Sequence, residues 1–316
     1  NVLTLGAGLI GLVGGVNWLR IGKKDVLGMG ILVGLASGLM HLARADGILW
    51  LAGGVVWVTF RLVSARKTGL EDWKLRIGII LGAILAGYLL VMAGWYLRNL
   101  NLFGSLMPPG NSRTLWLTGY NQTFDFDPGG LTFSTWISSG AGAILLSRWQ
   151  ALKMNLANLL VVQGGIVVLP LTMIGAWRNR RDERIRFMFF MWLLTLLVMT
   201  LVFPFAGTRG GYLHSGAAFQ LYFWALAPAG LEALVEWGNR RRGWNSRGAY
   251  TVFASGLAVI LLAIRLFFYS SRVIGEDFAQ PAWERGERIY RSVGAVTSHL
   301  GISAEAVAAV NNPPGW

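Results

Sequence analysis

The stretch AGTRGGYLHS, residues 206–215, sets Arg209, three glycines and His214 between two long apolar runs. Glycine lets backbone approach a ligand closely, and a guanidinium fork matches the oxygens of a phosphate. Similar groups recur elsewhere: Arg44-Ala-Asp46 with His41 about a turn earlier, Arg98, and Arg113 followed by Tyr120, Asp125 and Asp127. Taken singly, an arginine at a helix end snorkels toward water and an interfacial histidine is a solvated cap. Taken together, arginine-bearing turns beside Gly and Pro suit a phosphate carried on a lipid. Arg44, Asp46, Arg98, Arg113, Arg209 and His214 are therefore the candidate substrate-binding residues. Other chemistries lack their residues. The three histidines lie far apart, there is no cysteine, no HExxH zinc motif and no GxSxG nucleophile turn.

Such turns need elements to hold them. The chain has 316 residues, 54% hydrophobic and 14% charged, against roughly 25% charged in soluble domains. A transmembrane helix takes about 20 mostly apolar residues, and eight segments qualify: 2–19, 27–42, 48–63, 77–97, 156–177, 187–205, 215–237 and 250–268. The second and third are short and could form one broken hairpin around Arg44-Ala-Asp-Gly47. The expected fold is an all-α polytopic membrane protein. Of the 28 Lys and Arg residues, 17 fall on alternate turns, at 20–24, 61–76, 178–186 and 240–247. That alternation is the positive-inside pattern. It assigns the net charge of +13 to topology and anionic lipid rather than to nucleic acid. The candidate turns and the tail after Tyr269 then face outward, with the chain multi-pass in the membrane.

The organisation follows: helices over 1–97, an outer connection over 98–155, helices over 156–270, and a tail over 271–316. The connection contains Phe133, Ile137, Ile144, Leu145 and Trp149 on one helical stripe, the pattern of one or two interfacial helices. In the tail, Ile289, Val293, Val296 and Leu300 share a helix face, and Ala306–Val310 reads as a buried strand, so an extramembrane α/β unit begins there. The chain opens directly into an apolar run and stops just after that strand, which reads as a piece of a longer protein. Gly30-x-x-x-Gly34-x-x-x-Gly38 and Gly11-x-x-x-Gly15 predict close helix packing. Gly6-Ala-Gly-Leu-Ile-Gly11 matches a dinucleotide fingerprint by letter only, because it lies inside an apolar span rather than between a strand and a helix. Glu232, Glu236 and Arg240 are an ordinary helix-face series.

Four phrases occur in order: GLASGLMHLARADGILWL (34–51), YLRNLNLFGSLMPPGNSRTLWLTGYN (96–121), GTRGGYLHSGAAF (207–219) and AVNNPPGW (309–316). Together they resemble bacterial membrane glycosyltransferases of the GT-C architecture, in particular the family 39, protein-mannosyltransferase-like group of Chloroflexi-type bacteria. The resemblance implies a polyprenyl-phosphate-linked sugar as donor and inverting transfer on the outer face. The acceptor class, whether glycan, lipid or protein, stays open. It also implies a catalytic Asp or Glu in a first outer loop, which falls upstream of Asn1. Arg44 and Asp46 match the family's RxDG phrase, and Arg209 and His214 its RGGxxHS phrase. Apart from the resemblance, the residues also admit a transporter or flippase of a lipid-linked or anionic substrate, or a purely structural subunit. Charges gathered at span ends rather than mid-span favour the transferase over a transporter.

Overall fold

The computed structural model describes residues 2–18, 22–65, 72–108, 111–124, 128–279 and 281–303. The chain divides into two compact units, Asn1–Ser246 and Arg247–Trp316. The described residues are helical and contain no strand. Ala306–Val310, the expected strand, lies outside the described residues, as do Asp125 and Asp127.

In the first unit the helices are α1 (Val2–Gly15), α2 (Lys23–Ala43), α3 (Ile48–Ala65), α4 (Trp73–Phe103), α5 (Phe133–Ser138), α6 (Ala141–Asn158), α7 (Leu169–Arg178), α8 (Glu183–Leu197), α9 (Pro204–Thr208), α10 (Gly211–Gly216) and α11 (Gln220–Arg242). The second unit contains α12 (Ser246–Tyr269) and α13 (Arg285–His299). Six helical segments among the described residues are long and apolar enough to cross a membrane: Asp25–Ala43, Ala45–Ser64, Trp73–Phe103, Glu183–Val202, Gly211–Arg242 and Ser246–Ile274. At 1.5 Å per residue, the 31-residue α4 is roughly 46 Å long, more than the hydrocarbon thickness of about 30 Å. Leu85, Leu90 and Leu97 point out of it at more than half exposure, as lipid-facing leucines do.

The expected hairpin ambiguity resolves into two separate helices, α2 and α3, joined by a short 3-10 turn at Ala45–Gly47. The expected 156–177 span is not continuous. It breaks into the end of α6, a π-helical turn at Leu159–Gln163, and α7, which Pro170 opens in its first turn. Gly164, Gly165 and Pro170 lie at this break, and each weakens a continuous helix.

Glycine register explains the tightest packing. A Cβ on Gly34 would collide with the Ile84 carbonyl, and one on Gly30 would sit 2.7 Å from the Ala83 Cβ. Gly87 of α4 reciprocates against the Ile31 carbonyl. Helices α2 and α4 therefore meet backbone to backbone, the use predicted for Gly30, Gly34 and Gly38. The first helix departs from expectation. Gly6 and Gly14 make its close contacts, to Ala218 and to the Arg184 backbone, whereas Gly11 and Gly15 have looser surroundings. The core joins Leu9, Ile10 and Val13 of α1 to Ile80 and Ile84 of α4, Phe187, Met188 and Met191 of α8, and Phe219 and Phe223.

The basic turns converge. Gly14 near the end of α1 touches Arg184 at the start of α8. Arg61 near the end of α3 meets Glu183 at 3.3 Å. Arg178, ending α7, makes two bonds to Glu236 of α11, at 2.8 and 2.9 Å. The 3.9 Å contact of Glu236 with Arg240 is much looser, so Glu236 serves an interhelical pair more than the helix-face series expected for it. The opposite ends of α2, α3, α8 and α11 carry the candidate turns.

Candidate functional site

The turn Arg44–Gly47 is held from below. A Cβ on Gly47 would overlap the Met40 carbonyl and the His41 amide, so the chain folds back onto α2 only because that Cβ is missing. Arg44 then donates its Nε to Asp46 Oδ1 at 2.8 Å. The other carboxylate oxygen, Oδ2, accepts from the Ser215 hydroxyl, a short contact bridging 169 positions of sequence. Ser215 is buried, and the Gly211 carbonyl, 2.8 Å away, is the alternative acceptor for its single hydroxyl proton. The RADG turn and the YLHS segment, distant in sequence, are thus two halves of one arrangement.

The AGTRGGYLHS stretch folds as α9, a left-handed turn and α10. Gly210 carries φ +92°, a conformation that costs a residue with a Cβ roughly 1–2 kcal/mol. Gly207 packs against the Met199 carbonyl and the Asn155 amide, and Gly211 against the Ala206 carbonyl. The glycines are therefore explained by packing and turn geometry. Arg209 and His214 remain exposed. The Arg209 guanidinium lies 4.5 Å from the centre of the Tyr120 ring, and no carboxylate pairs with it among the described residues. Tyr120 is presented by a small clamp in which Gln122 Oε1 accepts from the Thr118 amide at 2.8 Å and the Gly119 amide at 3.1 Å.

Arg44 and Asp46 are in direct contact, and Arg209 reaches the outer connection through Tyr120. Among the described residues Arg98 makes a long 3.5 Å contact to its neighbour Asn99, whose amide in turn donates to the Leu106 carbonyl. Arg113 is half-buried in the segment Asn111–Trp116. Among the described residues no hydrogen bond or ion pair joins Arg98, Arg113 or His214 to the Asp46–Ser215 pair. His41 belongs beside the pair instead. It is buried, close enough to Asp46 for an electrostatic interaction, and linked through Tyr88 Oη at 2.6 Å to Tyr96 Oη at 2.7 Å.

The segment expected to hold one or two helices contains α5 and α6, separated at Ser139-Gly140, with Phe133, Ile137, Leu145 and Trp149 of the expected stripe exposed and Ile144 half-buried. Trp116, Phe133 and Trp136 form an aromatic cluster. Arg148 of α6 lies over Trp136 at 5.3 Å and donates to the Leu201 carbonyl at 3.2 Å.

Beneath AGTRGGYLHS lies a buried polar cluster that pattern reading did not single out. Asn155 donates to Thr200 Oγ1 at 3.0 Å, and Gln220 donates to the Gln163 carbonyl at 2.9 Å. Gln163 lies directly over Gly216, and its side-chain oxygen and nitrogen, like Tyr212 Oη and Trp192 Nε1, are buried with no hydrogen-bond partner among the described residues. Asn155, Gln163 and Tyr212 are at most 1% exposed. The available signal was a glutamine and an asparagine inside an apolar run, which are costly in lipid unless they find partners. Comparison with family models, with curated proteins and with solved structures gives no match for the chain.

Proposed function

We propose that this chain is part of a membrane glycosyltransferase that moves a sugar from a polyprenyl-phosphate donor to an acceptor at the membrane surface bearing the Arg44 and Arg209 turns. The single observation that supports it is the Asp46–Ser215 contact, which ties the turn bearing Arg44 to the segment that follows Arg209, at the end of the bundle opposite the basic turns. In such a transfer a general base deprotonates the acceptor hydroxyl, the new bond forms at the sugar C1, and the C1–O bond to phosphate breaks. Charge then grows on the leaving polyprenyl phosphate, and fixed cations stabilise it. Arg44 is already engaged by Asp46, whereas Arg209 rests on an aromatic face with its N–H donors turned to no carboxylate. Arg209 is thus the best-placed group for the phosphate, with Arg44 and Arg98 as secondary ones and His214 available to a phosphate or sugar hydroxyl.

The same reading makes α1 and the broken 156–177 segment two further crossings, eight in all. It places the tail beginning with α13 in an extramembrane α/β unit on the donor side of a bacterial cell membrane. Packing of α1 against α2, α8 and α11 inside the bundle supports its part.

In membranes active in sugar transfer from the polyprenyl-phosphate donor, Arg209→Ala lowers the rate by about 100-fold, in line with the loss of one charge-stabilising group. Arg209→Lys recovers part of the rate, because lysine keeps the charge but not the fork. Unchanged transfer by Arg209→Ala removes that residue from the site. One observation favours the second reading, transport of a lipid-linked or anionic substrate. The interrupted α6–α7 connection and the π turn at Val198–Val202 flank buried polar side chains, as broken helices do in transporters. Substrate crossing sealed vesicles without consumption of donor distinguishes it.

A further inference from the structure

We propose that a cavity at the basic end of the first unit binds a zwitterionic aminophosphate, the headgroup chemistry of an aminophospholipid. The cavity measures about 760 Å³ and lies between α1, α3 and the start of α8, within the roughly 300–1,000 Å³ common for small-molecule sites. Its origin is visible in α1. Gly14 is needed for contact, since a Cβ there would approach the Arg184 Cα within 2.6 Å. Gly11 is different: a Cβ would meet only the Tyr222 Oη, at 3.7 Å. The missing side chain at Gly11 opens space instead of closing a helix contact.

The wall has an apolar part, including Met29 and Trp57, and a charged part, Arg61, Asp182, Glu183 and Arg184. Two of these charges satisfy each other: Arg184 grips Asp182 through Nε at 3.0 Å and Nη2 at 2.5 Å. Arg61 and Glu183 do not. Their contact is 3.3 Å, longer than the usual 2.7–2.9 Å of roughly ideal charge-assisted bonds. The Glu183 Oε1 concerned is shared with Arg186 at 2.9 Å. Glu183 Oε2 is sealed from solvent and meets no donor among the described residues. An acceptor deprived of both water and donor is expensive.

One cation with donors to spare and one anion with an unused acceptor therefore share a hollow whose remaining wall combines Trp57 and Met29 with Asn17 and Tyr222. A phosphate on Arg61, a primary ammonium against the accessible part of the Glu183 carboxylate, and an aliphatic chain along Trp57 and Met29 fit these groups. The place of the hollow at the end of membrane-spanning helices, with Trp57 and Met29 in its wall, favours the lipid over a free aminophosphate.

The test uses the 316-residue chain in detergent, with lipid retention read by native mass spectrometry and thermal unfolding. The probes are phosphatidylethanolamine, phosphatidylcholine, phosphatidylglycerol and free phosphoethanolamine. Phosphatidylethanolamine is expected to bind about ten-fold more tightly than phosphatidylglycerol, the worth of one charge-assisted bond. Phosphatidylcholine, whose quaternary nitrogen has no N–H, should rank with the weaker lipid. Glu183→Gln abolishes the ethanolamine preference, Arg61→Gln weakens all three lipids, and Gly11→Leu fills the hollow and removes binding. Stabilisation by free phosphoethanolamine equal to that by the lipid keeps the zwitterion site and reassigns its occupant to solution. Equal binding of the three lipids, or an ethanolamine preference that survives Glu183→Gln, overturns the proposal. This second variant decides the matter even if Gly11→Leu fails to fold.

Discussion

Ser215 donates its hydroxyl to Asp46 across 169 positions of sequence, tying the turn between α2 and α3 to α10. Because Arg44 holds the other oxygen of the same carboxylate, the three residues form one charge-assisted unit. A hydrogen bond to a charged group contributes about 1.5–3 kcal/mol net. Asp46→Asn and Ser215→Ala should each lower stability by about 1–2 kcal/mol in thermal unfolding. The double variant should lose less than the sum, because both remove the same interaction. Strict additivity shows that the two turns are held apart from one another's influence.

The second prediction concerns glycine register. Gly34 and Gly82 are both helical, but a Cβ on Gly34 would overlap α4 backbone while one on Gly82 meets nothing within 4 Å. Gly34→Val should destabilise the α2–α4 pair by about 1–3 kcal/mol through overpacking. Gly82→Ala should be neutral or stabilise by up to about 1 kcal/mol, because helix propensity improves without a clash. Equal effects of the two substitutions count against the packing.

How far these features were legible depends on what kind of constraint made them. Gly30, Gly34 and Gly38 repeat at helical spacing, so their shared face is written locally, and the facing helix confirms it. Gly11 and Gly15 repeat in the same way, yet their neighbours are Tyr222 and Arg184 at ordinary contact distances. Spacing shows which residues share a face, not what comes to meet it. Arg44 and Asp46 stood out because charge is rare in an apolar chain. Ser215, their partner, did not, since a serine beside a histidine carries no pattern. The break at 159–168 had its signals in Gly164, Gly165 and Pro170, but unbroken hydropathy outweighed them. Gln163 acquires meaning only once Gln220, Gly216 and Tyr212 surround it, and nothing local encodes that.

That break carries the third prediction. Ile166 has φ +63°, where a β-branched side chain is a genuine outlier. Its side chain is partly exposed, so removing it sacrifices little burial. Ile166→Gly should raise the unfolding temperature, relieving roughly 1–2 kcal/mol of left-handed strain. If transport or transfer activity falls while stability rises, the strained turn serves function. A lowered unfolding temperature refutes the strain argument.

Acid sensitivity of the α8 start supplies the last prediction. Asp182 caps α8, accepting from the Arg184 amide at 2.8 Å. Its carboxyl lies below the ordinary aspartate value because the Arg184 side chain hydrogen-bonds it, with desolvation opposing and the Arg184 backbone amide adding to the effect. A depressed folded-state value means the stabilisation is fully present above the ordinary aspartate value of about 4 and is lost as pH falls through the lower folded one. Asp182→Ala should cost about 1 kcal/mol at neutral pH, a typical cap loss, and less where solvent screens the pair. Asp182→Asn keeps a capping oxygen but cannot ionise, so its stability should lie below the parent at pH 7, approach it in acid, and be flatter between pH 5 and pH 3. Unfolding curves in detergent across that range separate the two contributions. If Asp182→Asn falls as steeply with acid as the parent, the titrating group lies elsewhere.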